Sequence, residues 1–250
     1  MISYGSFSST GPDPHRRFDA LRAYLNPASD AATFALAAGN TDGALSGIIA
    51  DHVVFNAVCY ASDPHRGARA PLEDAVARCV GPATRFAAHR SGKDNCSLAL
   101  IRVNEDGKDI DLAGIGDVRV YGYRRGSGRA ELLLADPYRE TVLFPDPHIH
   151  RWLLPTTGSC VGDLAQCGCG IDCDFHGLQV AHIERAEYEV LIAVTAGVHL
   201  VLDELLRRKR ALSLQPADTV AENLVRTAQK HTTARGQEPA SRTALFIALP

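Results

Sequence analysis

Leu112-Ala113-Gly114-Ile115-Gly116-Asp117-Val118-Arg119-Val120-Tyr121 reads as the end of one β-strand, a Gly-Asp turn and the start of the next. Apolar and β-branched residues flank a pair that favours tight turns. Outward from this stretch, Cys96–Val103, Asp109–Ile115, Val118–Arg124 and Ala130–Ala135 read as strands in close series. Asn104-Glu105-Asp106-Gly107 and Arg125-Gly126-Ser127-Gly128 join them and have hairpin composition. Further strands are expected at Phe34–Ala38, His52–Ala61, Leu178–Ile183, Val190–Thr195 and Thr243–Leu249.

Helices are expected between these strands. Pro14–Leu25 follows Asp13 with Pro at the first helical position and Phe18, Leu21 and Leu25 on one face. Ala68–Val80 turns Leu72, Ala75, Val76 and Cys79 inward, and Val198–Arg210 buries a face of Val198, Val201, Leu202, Leu205 and Leu206. Asp218–His231 begins with the capping-box pattern Thr219-Val220-Ala221-Glu222 and buries Val220, Leu224, Val225 and Ala228. Strands dominate and helices come in sequence-distant pairs, which is the signature of an α+β protein built from stacked antiparallel sheets flanked by helices.

The chain of 250 residues is 46% hydrophobic and 22% charged, a balance that places it among globular proteins and favours one large domain. Residues 1–33 read as an N-terminal extension with a short helix, and 34–250 as the main domain. A Pro- and Gly-rich excursion at 136–177 interrupts that domain. A formal net charge of −3 excludes the electrostatic footprint of a nucleic-acid binder. The one basic run, Arg207-Arg208-Lys209-Arg210, sits at a helix C-terminus, where it complements the helix dipole. The chain has no apolar run of about 18 residues and no charged start followed by an apolar segment, so the expectation is a cytoplasmic protein without membrane attachment.

Seven cysteines make an odd number, and Cys59, Cys79 and Cys96 stand singly in apolar surroundings as core residues. Cys160, Cys167, Cys169 and Cys173, with His176, cluster inside the excursion. Three states are open to them: a tetrahedral zinc site, free thiols, or one or two disulfides. Asp146, His148 and His150 form a second small group that suits a metal or a substrate or a solvated loop.

Three patches, in order, are similar to the metal-dependent serine/threonine phosphatases of type 2C. The Gly116-Asp117-Val118-Arg119 turn resembles that family's Gly-Asp-Ser-Arg hairpin. Tyr188 to Val198 resembles its strand ending in Ser/Thr-Asp-Gly, and Ser241-Arg242-Thr243-Ala244 its Asp-Asn-x-Thr with closing strand. Asn40-Thr41-Asp42-Gly43 and Ala61-Ser62-Asp63-Pro64-His65 are placed like its Asn-Glu-Asp-Ala and Asp-Gly-His.

The resemblance implies a sandwich whose aspartates hold two Mg²⁺ or Mn²⁺ ions that activate a water for phosphoryl transfer. It implies Asp63 as bridging ligand, Asp42 as a second ligand, Asp117 as ligand to a weaker metal, and His65 as the acid on the leaving oxygen. Under the same alignment Ala196 and Ser241 stand where ligand carboxylates belong, and Ala37 where a phosphate-binding Arg belongs. The expectation is a type 2C-like protein with a degraded two-metal site: a pseudophosphatase, a binding module or a repurposed enzyme, whose partner is a protein or a small phosphorylated ligand. The alternative is an active, divergent Mg²⁺/Mn²⁺ phosphoesterase in which Asp94 or His199 replaces a lost ligand.

Overall fold

The computed structural model describes residues 2–10, 18–39, 45–63, 71–79, 96–127, 129–134, 178–199, 202, 216–234 and 241–250. Ten strands are described: β1 (Ser3–Ser9), β2 (Asp19–Leu25), β3 (Ala32–Gly39), β4 (Cys96–Val103), β5 (Asp109–Ile115), β6 (Arg119–Arg124), β7 (Arg129–Leu134), β8 (Gln179–Glu184), β9 (Tyr188–Val194) and β10 (Arg242–Ala248). They form two five-stranded sheets, ordered β1-β10-β9-β6-β7 and β2-β3-β4-β5-β8, with every pairing antiparallel. Helix α1 (Ser46–Ala61) and a helical segment over residues 72–79 lie against the second sheet, and α2 (Ala217–Ala234) lies against the first.

Strand alternation builds three layers of apolar packing. Phe34 and Leu36 of β3 face Leu191, Leu245 and Ile247 of the opposite sheet and make the central core. Their neighbours Ala35 and Ala37 face the other way, toward Ile49, Val53, Val54 and Ala57 of α1. Val190, Ile192 and Val194 of β9 turn outward to Val220, Leu224 and Val225 of α2. Small alanines under α1 let its backbone approach the sheet closely.

The hairpin series from β4 to β7, the inward residues of 72–79, α2 and the last strand agree with the sequence reading. Strand β1 is not expected from the sequence, and two further elements differ in kind. His52–Ala61, expected as a strand, is the second half of α1. Ile49, Ala50, Val53, Val54, Ala57 and Val58 are buried while Phe55 and Cys59 are exposed, a helical stripe that alternation cannot produce. The β-branched run is tolerated because its methyl groups face the sheet.

The segment expected as the helix Pro14–Leu25 is strand β2 over its described part, in unbroken register with β3 from Asp19↔Ala38 to Leu25↔Ala32. Leu21 and Ala23 face the central core and Ala20 faces α1, so sheet pairing overrides a weak helical pattern. Residues 1–33 are accordingly not an appendage, since β1 and β2 complete the two sheets. The excursion 136–177, with its cysteines and histidines, lies outside the described residues. None of the described helices is long and apolar enough to cross a membrane.

Gly5 in β1 marks how closely α2 is docked, because a Cβ there would lie 2.1 Å from the backbone nitrogen of Asp218. Gly5→Ala is expected to destabilise the protein by about 1–3 kcal/mol through overpacking, measured by urea denaturation. An unchanged midpoint would mean that α2 does not rest on β1.

Candidate functional site at the strand ends

One end of the sandwich gathers polar residues from both sheets. The second sheet contributes Asp19 at the start of β2, Ser97 at the start of β4 and Asp117 in the turn between β5 and β6. The first contributes Ser8 from β1, Thr195 directly after β9, and Ser241, Arg242 and Thr243 at the start of β10. Antiparallel pairing places these ends together: Ser8 is opposite Thr243, and Ala38 at the end of β3 is opposite both Asp19 and Ser97.

Asp19 is the centre of this cluster and is only 4% exposed. Thr195 Oγ1 donates a hydrogen bond of 3.1 Å to Asp19 Oδ2 and accepts one of 3.0 Å from the Thr243 backbone N–H. The Thr195 N–H in turn donates to the Thr243 carbonyl at 3.1 Å. Ser8 Oγ and Thr243 Oγ1 lie 2.9 Å apart. A carboxylate of one sheet is thereby tied through a threonine hydroxyl to the strand junction of the other.

Burial pushes the Asp19 carboxyl up to about 6, hydrogen bonds from Thr243, Thr195 and Ser241 work against that rise, and the nearby charge of Asp117 adds to it. Asp117 has its own fixed geometry. Gly116 takes the left-handed φ of +85° that the turn requires, and Ser97 Oγ donates to Asp117 Oδ1 at 2.7 Å while accepting the Asp117 N–H at 3.1 Å. Arg242, 1% exposed, lies on the opposite face of β10 from Thr243, with its stem against Gly197. Burial lowers the pKa of its guanidinium, and the negative charge of Asp19 opposes that.

The structure does not bring all the expected site residues together. Asp117 is in the cluster. Asp63 is at the other end of the sheet, after α1, beside Ala32, Thr33, Val103 and Asn104. The length of β4 separates that place from Ser97 and Asp117, roughly 20 Å at the rise of an extended strand. Asp42, His65, Asp94 and the Cys160, Cys167, Cys169, Cys173 and His176 group are outside the described residues. Ala37 is in the core under α1, whereas Thr195, Ala196 and Ser241 are at the strand ends. His199 is buried one helical turn beyond Thr195.

Asp19 is the residue the sequence reading missed. The apolar alternation of Leu21, Ala23 and Leu25 with Arg22 and Tyr24 is the strand signal that would have moved it from a helix to a strand end. Among the described residues, no group of three or more His, Cys, Asp or Glu side chains is placed to hold a metal ion.

A second polar cluster lies away from the strand ends, in a groove of about 670 Å³ beside β5 and β8. There Asp111 accepts from Arg102 at 2.8 Å and meets His182 Nδ1 at 2.7 Å. Its residues come from strand faces of one sheet, whereas the strand-end cluster draws on both. The strand ends are therefore the stronger candidate.

No protein-family model matches this chain, and no curated protein matches it significantly. Solved structures do. A bacterial serine phosphatase superposes with a TM-score of 0.73 at 12% identity, covering 100% of this chain and 98% of its own. The serine-threonine phosphatase 2C of Toxoplasma gondii gives 0.67 at 16% identity over 100% and 95%. The catalytic domain of the phosphatase PstP in complex with two manganese ions gives 0.69 at 18% identity over 99% and 97%. Such identities speak for architecture, and over its whole length this chain has the fold of the serine/threonine phosphatases of type 2C.

Proposed function

We propose that this chain is a pseudophosphatase: it keeps the type 2C sandwich, has a degraded two-metal site, and acts as a regulatory or binding module. The donor set at the strand ends carries this reading. Two hard divalent cations bring four positive charges and need carboxylate and water oxygens around them. The described cluster offers two carboxylates, Asp19 and Asp117, and otherwise hydroxyls, Ala196 and the guanidinium of Arg242.

Asp19 Oδ2 already accepts a hydrogen bond from Thr195, which takes up part of its capacity as a ligand. The position after Thr195 is Ala196, which brings no charge. A buried guanidinium, Arg242, adds a fixed positive charge in the field of Asp19. These described residues do not fit a pair of divalent ions.

The second reading, a divergent phosphoesterase acting on phosphoserine, phosphothreonine or a small phosphate ester, draws its support from Asp117. That carboxylate is held rigidly by Ser97 at the strand ends. A protein or a small phosphorylated ligand is the proposed partner under either reading.

With added Mn²⁺, hydrolysis of an aryl phosphate is expected to be no faster for the wild type than for the Asp19→Asn, Asp117→Ala double variant. Turnover well above that variant would establish the second reading instead.

The Asp19 environment generates a prediction about stability. A carboxyl raised from 3.8 to about 6 binds its proton more tightly when folded, so its stabilising share is complete below the unfolded value and is lost as pH climbs through the folded one. Between about pH 4 and 7 the wild type should lose on the order of 3 kcal/mol relative to Asp19→Asn, followed by denaturant melts across that range. Parallel stability curves for the two proteins would show that Asp19 is not buried as described.

A further inference from the structure

The edge formed by β2 and the outer face of α1 has no described partner, although it carries exposed apolar side chains. Ile48 is 61% exposed, Phe55 52%, and Tyr24 and Leu25 43% each. Ile48 and Phe55 are two helical turns apart on one side of α1, and Cys59, also exposed, continues the same side. Arg22 of β2 joins strand to helix, with its guanidinium 5.9 Å from the Phe55 ring centroid and 3.7 Å from Asp51.

β2 is the terminal strand of its sheet, and no described strand pairs with its outer edge. An edge strand presents a row of backbone donors and acceptors that accepts another strand unless it is guarded. The charges of β2 are Asp19 at its first residue and Arg22, whose guanidinium is turned to α1. Asp-Ala-Leu-Arg-Ala-Tyr-Leu contains neither Pro nor Lys, and its pairing with β3 has no bulge.

We propose that this edge is a homodimer interface, in which β2 pairs antiparallel with β2 of a second copy and the two α1 helices meet beside it. A two-fold axis perpendicular to the sheet keeps each side chain on its own face, so opposed residues must have the same parity. A register centred on Arg22 would set two guanidiniums against each other. A register centred on Ala23 sets Arg22 of each copy against Tyr24 of the other and Leu21 against Leu25. Both are favourable cross-strand pairs, one cation on a ring and one apolar.

On the neighbouring layer this register brings the Phe55 rings toward one another. Each copy carries one Arg22 and one Asp51 at the seam, so the patch is neutral and complementary to itself. The joined sheets would form one continuous ten-stranded sheet, and the helices would bury the apolar side chains that are open in one copy. The strand-end cluster begins at Asp19, at the start of the same strand.

The test is the solution mass by analytical ultracentrifugation across a concentration series into the tens of micromolar. The wild type is expected at twice the 26.8 kDa chain mass. Ile48→Glu with Phe55→Glu, both at exposed positions, is expected at the single-chain mass with an unchanged far-UV circular dichroism spectrum. Tyr24→Lys, on the strand itself, is the second variant if the helix pair fails to fold. A wild type that stays at the single-chain mass throughout overturns the proposal, including the case in which a different protein covers the patch. A wild-type dimer that both folded variants retain overturns the assignment of this edge.

Discussion

The buried hydrogen bond from Thr195 to Asp19 is the point at which the two sheets are tied at the end that holds the candidate site. Sheet packing alone fixes the spacing of the layers but leaves the strand ends free to splay, because apolar contact is non-directional. A hydroxyl that donates to a carboxylate of one sheet while accepting a backbone N–H of the other supplies the missing direction. Leaving a buried acceptor of this kind without its donor costs about 1–3 kcal/mol, so the arrangement resists loss of either partner.

That constraint organises the surroundings. Ser8 and Ser241 complete a hydroxyl shell around Thr243 and Asp19, Ser97 holds Asp117, and Arg242 lies on the far face of β10 against Gly197. The shell sets neutral donors around a buried carboxyl of raised pKa, with Asp117 adding to that rise. A divalent cation beside such a pair would pull both pKa values down. The same fold can carry different end residues, because the cores hold the strands and the end contacts fix only their splay.

Much of this architecture was legible in the sequence. The strands from Cys96 to Leu134 show alternation bounded by turn residues, so local chemistry and tertiary structure agree there. α2 announced itself by a clear apolar face, although it begins at Ala217, ahead of the Thr219 read as its cap. The two misread segments have a common cause. Val53-Val54-Phe55 in α1 and Leu21 and Leu25 in β2 have propensities opposed to their final state, and the deciding contact is with distant residues: the alanines of β3 for α1, and its backbone for β2. Reading β2 as a helix hid Asp19, and reading α1 as a strand placed Asp63 among the ligands, although it follows a helix that carries it to the other end of the sheet.

Manganese binding tests the central account most directly. Isothermal titration of the purified protein with Mn²⁺ is expected to show no saturable binding at micromolar concentrations, and Asp19→Asn should leave the titration unchanged. Two ions bound tightly per chain, with their affinity lost in Asp19→Asn, would contradict the account and return the strand ends to metal chemistry.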